Sequence, residues 1–489
     1  MTVSLFKKSL APEPSSTAGA RGHLILRVCV GLMIFNIHST ACGADTALQS
    51  PPPYKQLRYD EDYSYLREPE RRHDFFDPIK YIRFDDLADY YLSLGGEVRE
   101  RYEYFANYNW GKGPQDNNGY LLQRYMVHAD LHLGPDVRLF TQLKSGLEDG
   151  RNGGARPPDR DDFDLNQAFI DVTGHISTDN SLMLRLGRQE LTFGSSRLVS
   201  VRESPNVRQS FDGARATLRV GGWNIDSFLT RPVETNPGIF DDSSDRSRLF
   251  WGAYAVHPLP MVPGGHIDLY YFGIERDQAT YNQGSGREER HSIGTRLWGE
   301  AKGLDYNFEA VYQFGSFRTG DINAWTVASD TGYTFKSAPL TPRLGLKADV
   351  ASGDGNPGDS DLGTFSALFP KGAYFSETDL IGPANIIDLH PSIEVHFSHK
   401  IKLSADWDFF WRESTRDGIY GIAVNLLRSG QQSDANYIGS QPQARLDWEM
   451  NRHLSVALVY AHFFPGDYLK QTPPGKDVDY GSAWATYKF

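Results

Sequence analysis

Residues 304–315 read LDYNFEAVYQFG and alternate apolar with polar almost without a break. Leu304, Tyr306, Phe308, Ala310, Tyr312 and Phe314 share one face of an extended chain, and Asp305, Asn307, Glu309 and Gln313 share the other. A period of two is the mark of a β-strand with unlike faces. It leaves open which face looks inward. In a water-soluble sandwich the apolar face is the core, whereas in an outer-membrane barrel it meets lipid and the polar face lines a lumen.

The same pattern recurs along the chain. LSLGGEVRERYEYF at 92–105 separates Leu92, Leu94, Val98, Tyr102 and Tyr104 from Glu97, Arg99, Arg101 and Glu103. IKLSADWDFFWR at 401–412 sets Trp407, Phe409 and Trp411 against Lys402, Asp406, Asp408 and Arg412. A soluble core has no use for such rings backed by so many charges. Eighteen candidate strands begin between residues 92 and 479, and their connections alternate in length. The short ones include 134–136, 221–222, 301–303, 398–400 and 451–453; the long ones include 190–212, 276–289, 351–388 and 413–441. Short turns at one end and long loops at the other predict an all-β fold. It is a closed antiparallel transmembrane β-barrel of about 18 strands, with both termini periplasmic, in the outer membrane of a Gram-negative cell. The apolar face of 304–315 then looks at lipid, and Trp223, Trp298, Trp411 and Trp484 suit interfacial girdles. Tyr487 and Phe489 end the last strand with rings on the lipid side. A terminal aromatic of this kind resembles an outer-membrane assembly signal.

One strongly apolar run precedes the barrel, LILRVCVGLMIFNI at 24–37. It is too short to span a bilayer as a helix. Lys7, Lys8 and Arg21 before it and the small residues ACGA after it predict a secretory signal peptide over 1–44. Both cysteines, Cys29 and Cys42, fall within it, which excludes a disulfide scaffold or a thiol enzyme in the exported chain. The formal net charge is −12, and removing the leader makes it three units more negative, so nucleic acid is not an expected partner. Residues 45–91 are dense in charge and tyrosine without a sustained period, and read as a periplasmic lead-in that partly plugs one mouth. The barrel itself is placed at 92–489.

Four blocks carry a more specific signal: YLSLGGEVRERYE (91–103), LRLGRQELTFGSSRLV (184–199), GLKADVASGDGNPGDSDLGTFSALFP (345–370) and GPANIIDLHPSI (382–393). They resemble the alginate-export family of outer-membrane proteins, across roughly residues 55–489. The resemblance implies an 18-stranded barrel that passes an anionic uronic-acid polymer through an arginine-rich constriction.

Inward parity supplies the cations for such a constriction: Arg99, Arg101, Arg124, Arg138, Lys144, Arg185, Arg215, Arg219, Arg296, Arg343 and Lys347. A ring of cations concentrates a polyanion, and the arginine fork suits carboxylates. The same parity also supplies Glu97, Glu103, Asp130, Asp226, Asp268, Asp305, Glu309, Asp349, Asp406, Asp408, Asp447 and Glu449, so a mixed-sign, salt-bridged wall is the competing reading. Arg188, in the GRQ block, has the opposite parity. The cluster Asp354, Asn356, Asp359 and Asp361 has the composition of a cation loop, but it lacks the spacing of one and suits turn chemistry equally well. No metal or cofactor is therefore expected. His128 and His132 lie on one inward face, but no nucleophile motif accompanies them, so an enzyme is disfavoured. The expected function is passive, selective passage of a saccharide polymer or oligomer, in the direction of export. Substrate-specific uptake of small charged solutes is the alternative. Expected partners are outer-membrane lipid, the saccharide, the outer-membrane assembly machinery and periplasmic export proteins.

Overall fold

The computed structural model describes residues 51–84 and 89–489. The leader and its cleavage site lie outside the described residues. Eighteen strands wind in sequence order. They are β1 (Tyr90–Ala106), β2 (Tyr120–Leu133), β3 (Val137–Asp149), β4 (Asp161–His175), β5 (Ser181–Gln189) and β6 (Phe211–Val220). Next come β7 (Trp223–Glu234), β8 (Arg248–Leu259), β9 (Gly265–Tyr281), β10 (Gly284–Ala301), β11 (Leu304–Phe317) and β12 (Gly320–Thr334). The last six are β13 (Arg343–Ala351), β14 (Ile386–Ser398), β15 (Ile401–Trp411), β16 (Tyr437–Glu449), β17 (Leu454–Pro465) and β18 (Val478–Lys488). Each pairs antiparallel with the next, and β18 pairs with β1 from Glu97↔Lys488 to Ala106↔Asp479. Closure leaves the barrel without sheet edges. Among the described residues no helix is long and apolar enough to cross a membrane; the chain crosses with strands.

The faces are inverted relative to a soluble protein. On β11, Phe308 and Tyr312 (48%) are exposed while Glu309 and Gln313 (0%) are buried. Val327 on β12 (53%) and Leu186 on β5 (58%) are likewise bare, whereas Arg124 on β2 (1%) is enclosed. Apolar side chains outside and charges inside make sense only when the outer solvent is hydrocarbon.

Connections at one end are short, 335–342 being the longest. Gly221 and Gly222 join β6 to β7 in two residues, both at positive φ (55° and 84°), as a tight hairpin of matching twist requires. Both barrel termini lie at this end, where the last residue continues the ladder: Phe489 N–H donates to Gly96 O at 3.0 Å and Gly96 N–H to Phe489 O at 2.9 Å. The lead-in runs through Arg58, whose guanidinium donates to both of those carbonyls at 3.0 Å. Tyr59 enters the lumen, edge-on to Phe140 and Phe169, and its hydroxyl donates to Glu190 O at 3.0 Å. The Phe489 ring is half-buried, with Phe76 of the lead-in 5.2 Å away, while Tyr487 stays exposed.

Two expectations are corrected. The long loop expected at 276–289 is a hairpin: β9 and β10 run on to Tyr281 and from Gly284, leaving only 282–283 as a turn. This stretch is polar on both faces, so it carries no alternation to read. Its tip instead meets the loop 412–436, with Asn282 N–H donating to the Tyr420 hydroxyl at 3.0 Å. Trp298 and Trp484 are lumen residues rather than girdle residues. Trp298 Nε1 donates to Asp268 at 2.8 Å, and Arg101 lies 4.7 Å over the Trp484 ring. On β10 Trp298 shares its parity with Arg296, and on β18 Trp484 shares its parity with the buried Tyr480 and Ser482, so strand parity outweighs the residue type.

Candidate functional site in the lumen

Two long loops of the open end, 190–210 and 352–385, fold back into the barrel. They meet at Val199 and Phe369 in a parallel bridge, with Ser200 N–H to Phe369 O at 2.9 Å and Phe369 N–H to Leu198 O at 2.8 Å. Phe193, Leu198, Phe365, Phe369, Tyr374 and Phe375 form an apolar plug with Phe211, Phe250 and Phe272 of the wall. Neither loop has a period, so nothing in the sequence marks them as lumen fillers.

The first loop spans the bore. At one side Glu203 receives the wall arginines Arg124, which it binds, and Arg99, 3.8 Å away, and it meets Arg208 of its own loop at 3.3 Å. The side chain is part-exposed, and against its partial desolvation Arg124, Arg208 and Arg99 hold its carboxyl well below the usual range. Arg99 also donates to the carbonyls of Glu203 (2.9 Å) and Pro205 (2.8 Å), and Arg124 pairs with Glu97 at 2.6 Å. At the other side Arg197 binds Asp349 of β13 at 2.5 Å and Glu309 of β11 at 3.4 Å, and Ser195 donates to Glu309 at 2.7 Å.

Most of the cations expected to line a constriction are thus engaged in the wall. Arg138 pairs with Asp130 (2.6 Å), Arg185 with Asp171 (2.7 Å) and Arg215 with Asp226 (2.8 Å). Arg296 pairs with Asp268 at 2.9 Å, and Arg343 with Asp305, whose oxygens accept from both Nε and Nη2. Lys144 bridges Asp161 and Asp242 at 2.7 and 2.8 Å. Arg188 forks onto Asp212 at 2.8 and 3.1 Å. Arg219, exposed at the short-turn mouth, and Lys347 make no ion pair among the described residues. In the loop cluster, Asp354 accepts from Asn356 N–H (2.9 Å), Asp359 from Asp361 N–H (3.1 Å) and Asp361 from Asp321 N–H (3.0 Å). Those side chains shape turns and do not converge. His128 is buried against Phe140, and His132 stacks on Tyr91.

Two of the cavities left by the wall and loops flank the seam where the barrel closes, one against β1 and β2 and the other against β14–β18. One, of about 410 Å³ at the long-loop end, is bounded by Glu103, Arg156, Arg202, Ser204, Glu377 and Asp379. The other, of about 690 Å³ towards the short turns, is bounded by Glu394, Lys402, Ser404, Arg445, Asp447 and Trp484. Between them stands Glu377, carried by the 352–385 loop. One carboxylate oxygen lies 3.3 Å from Arg101 Nη2 and the other 2.5 Å from Arg445 Nη1. Both guanidiniums rest over the Trp484 ring, at 4.7 and 5.0 Å. Glu103 at 2.6 Å and the Tyr480 hydroxyl at 2.8 Å fix Arg101, and Asp447 at 2.8 Å fixes Arg445. Chemically this is a two-arginine clamp with an aromatic floor, closed on a carboxylate that belongs to the protein.

Of the expected constriction residues only Arg101 is in this clamp. Arg445 was legible: it shares inward parity with Asp447 and Glu449, but that face reads as acidic. Glu377 and Arg202 lie in aperiodic loop. Arg202 makes no ion pair among the described residues, and burial together with Arg248 and Arg276 lowers its pKa to about 10. Asp379 beside it is pushed up to about 8 by burial and by Glu377.

A family model described as alginate export matches residues 90–481. No functionally curated protein matches the chain in sequence. Among solved structures, the Pseudomonas aeruginosa protein OccK3 (OpdO) aligns with a TM-score of 0.54 at 11% identity, over 81% of this chain and 95% of its own. P. aeruginosa OccK2 (OpdF), solved in complex with glucuronate, gives 0.51 at 12% identity, over 82% and 97%. P. aeruginosa OpdK, solved with vanillate, gives 0.53 at 12% identity, over 81% and 98%. These likenesses concern the fold, and the family match spans the whole barrel. The chain belongs to the alginate export family and is a β-barrel channel of the outer membrane.

Proposed function

We propose that the barrel passes an anionic, carboxylate-bearing saccharide of the alginate type outward by passive, selective diffusion. The observation that carries this reading is the place of Glu377, held by Arg101 and Arg445 where the two cavities meet. A uronate carboxylate has the same shape and charge, and competes for the same donors. Transit is then an exchange. An incoming carboxylate takes the guanidiniums, Glu377 is released, its loop yields and the cavities join. The Trp484 ring offers a face to the sugar. Family membership supports the substrate class, as do the carboxylates named with two fold relatives. On this reading the chain performs no catalysis, both termini are periplasmic, and the lead-in is a partial plug of the periplasmic mouth. The assembly machinery reads the end of β18, so deleting Phe489 lowers the amount of folded barrel in the outer membrane; an unchanged amount contradicts that role.

The alternative, uptake of small charged solutes, is favoured by the filling of the lumen by two loops, which leaves cavities of modest size. Single-channel recording tests both. The wild type is expected to prefer anions and to be blocked by uronate oligomers. Replacing Arg101 and Arg445 together with Gln should abolish both properties. Selectivity and block that survive this change overturn the clamp. Block by the monomer but not by oligomers transfers the case to uptake.

A further inference from the structure

A second cluster in the wall has no part in the clamp. Asp388 and His390 alternate onto the lumen face of β14, and Asp406 and Asp408 onto that of the adjacent β15. One ligand atom each of Asp388, His390 and Asp408 lies within 4.8 Å of the others, and all three residues are buried. His390 Nδ1 is 2.5 Å from Asp408 Oδ1, and its Nε2 is 3.3 Å from Asp406 Oδ1.

Asp388 is the anomaly. It is 2% exposed, and neither of its oxygens has a hydrogen-bond partner. An enclosed carboxylate without a hydrogen-bond partner is strongly disfavoured, and here it converges on a second carboxylate. The other acidic cluster among the described residues shows how the chain solves that problem elsewhere. Asp161, Asp164 and Asp242 surround the Lys144 ammonium, which sits 2.7 and 2.8 Å from two of them. Among the described residues no ammonium or guanidinium is within ion-pair distance of Asp388. Lys347 faces His390 across the β13–β14 ladder but makes no ion pair.

We propose that Asp388, His390 and Asp408 bind one divalent transition-metal ion of the zinc class. The imidazole nitrogen favours such an ion over calcium or magnesium. Asp406 takes the hydrogen on Nε2 and so presents Nδ1 to the ion, as carboxylates commonly do behind metal-bound histidines. Three protein ligands leave room for a water. The site lies three residues beyond the 352–385 loop and ties β14 to β15 at the foot of the segment that carries Glu377. In the sequence, the metal-like composition lies instead at Asp354, Asn356, Asp359 and Asp361 inside that loop, and Asp406 and Asp408 look like wall charges.

The test uses the full-length barrel in detergent, stripped with a chelator and dialysed against Zn²⁺ or Co²⁺. Elemental analysis should find one ion per chain, and Co²⁺ should give visible d–d absorption. Asp388→Asn and His390→Gln should each lose the ion and the absorption while keeping a heat-modifiable barrel. Asp406→Asn should retain the site with affinity weakened about 10–100-fold. Lys347→Gln should bind at least as well as the wild type. If a folded wild-type barrel retains no ion and gives no Co²⁺ spectrum, or if Asp388→Asn retains as much as the wild type, the proposal fails. If the variants do not fold, the wild-type metal content and spectrum decide alone.

Discussion

The Glu377 carboxylate lies 2.5 Å from the Arg445 guanidinium, although 68 residues and a change from loop to strand separate them. The contact joins the longest loop to the wall at the boundary of the two cavities, so loosening it should tell whether the loop is a gate. Glu377→Gln keeps the side-chain size and removes the charge that holds both arginines. We expect higher open-channel conductance and stronger anion preference in planar bilayers, because two guanidiniums become available to the solute. Unchanged conductance would mean that the loop is a fixed part of the wall.

The arginines expected to line the pore but found engaged in the wall should behave as structural groups. Arg124→Gln strips Glu97 of its main partner inside the barrel, a loss of about 3 kcal/mol by analogy with other broken buried pairs. Glu203→Gln leaves Arg124 its bond to Glu97, and the half-exposed carboxylate should cost only about 1 kcal/mol. Equilibrium unfolding in urea should rank Arg124→Gln well below Glu203→Gln. Equal stability combined with lost anion selectivity would return Arg124 to the solute path.

Asp379 gives the loop a pH dependence. Its carboxyl titrates at about 8 in the folded chain, raised by burial and by Glu377, and near 4 when unfolded. The native state therefore holds the proton more tightly. Its contribution to stability is complete below about pH 4 and is lost progressively as pH rises towards 8. Amide exchange around 372–381 should quicken across that window in the wild type and stay level in Asp379→Asn. A flat wild-type profile would count against the buried carboxyl.

Topology can be read with single cysteines. Gly358 and Gln431 are exposed in the loops 352–385 and 412–436, and Gly222 sits in a turn at the opposite end. On intact cells a membrane-impermeant thiol reagent should label the first two positions and spare the third. The reverse pattern would invert the barrel.

The strands were legible because lipid outside and water inside impose opposite chemistry on successive residues, and that leaves a period of two. β11 shows this in full, with Phe308 and Tyr312 outward and Glu309 and Gln313 inward. The closure of β18 on β1 and the tight turns were legible for the same reason. The β9–β10 hairpin escaped because above the membrane both of its faces meet polar surroundings. The clamp escaped because it depends on tertiary distance. Arg101 and Glu377 are 276 residues apart, and a glutamate in an aperiodic loop gives no sign of where it will be placed. Parity reports which way Arg124 or Arg185 points, but only the register of the neighbouring strand shows that Glu97 or Asp171 is already there.

The 190–210 loop, anchored through Glu203 to β1 and β2 and through Arg197 to β11 and β13, works as a tie-rod across a hollow cylinder. A thin-walled tube under uneven lateral pressure flattens into an ellipse. A strut fixed at both ends resists that flattening, because any widening along its length would pull ions apart inside the barrel. Conductance through this pore should accordingly be insensitive to bilayer tension and to lipid thickness, and the only compliant direction left to it is along the axis, where the loop bearing Glu377 hangs from one end.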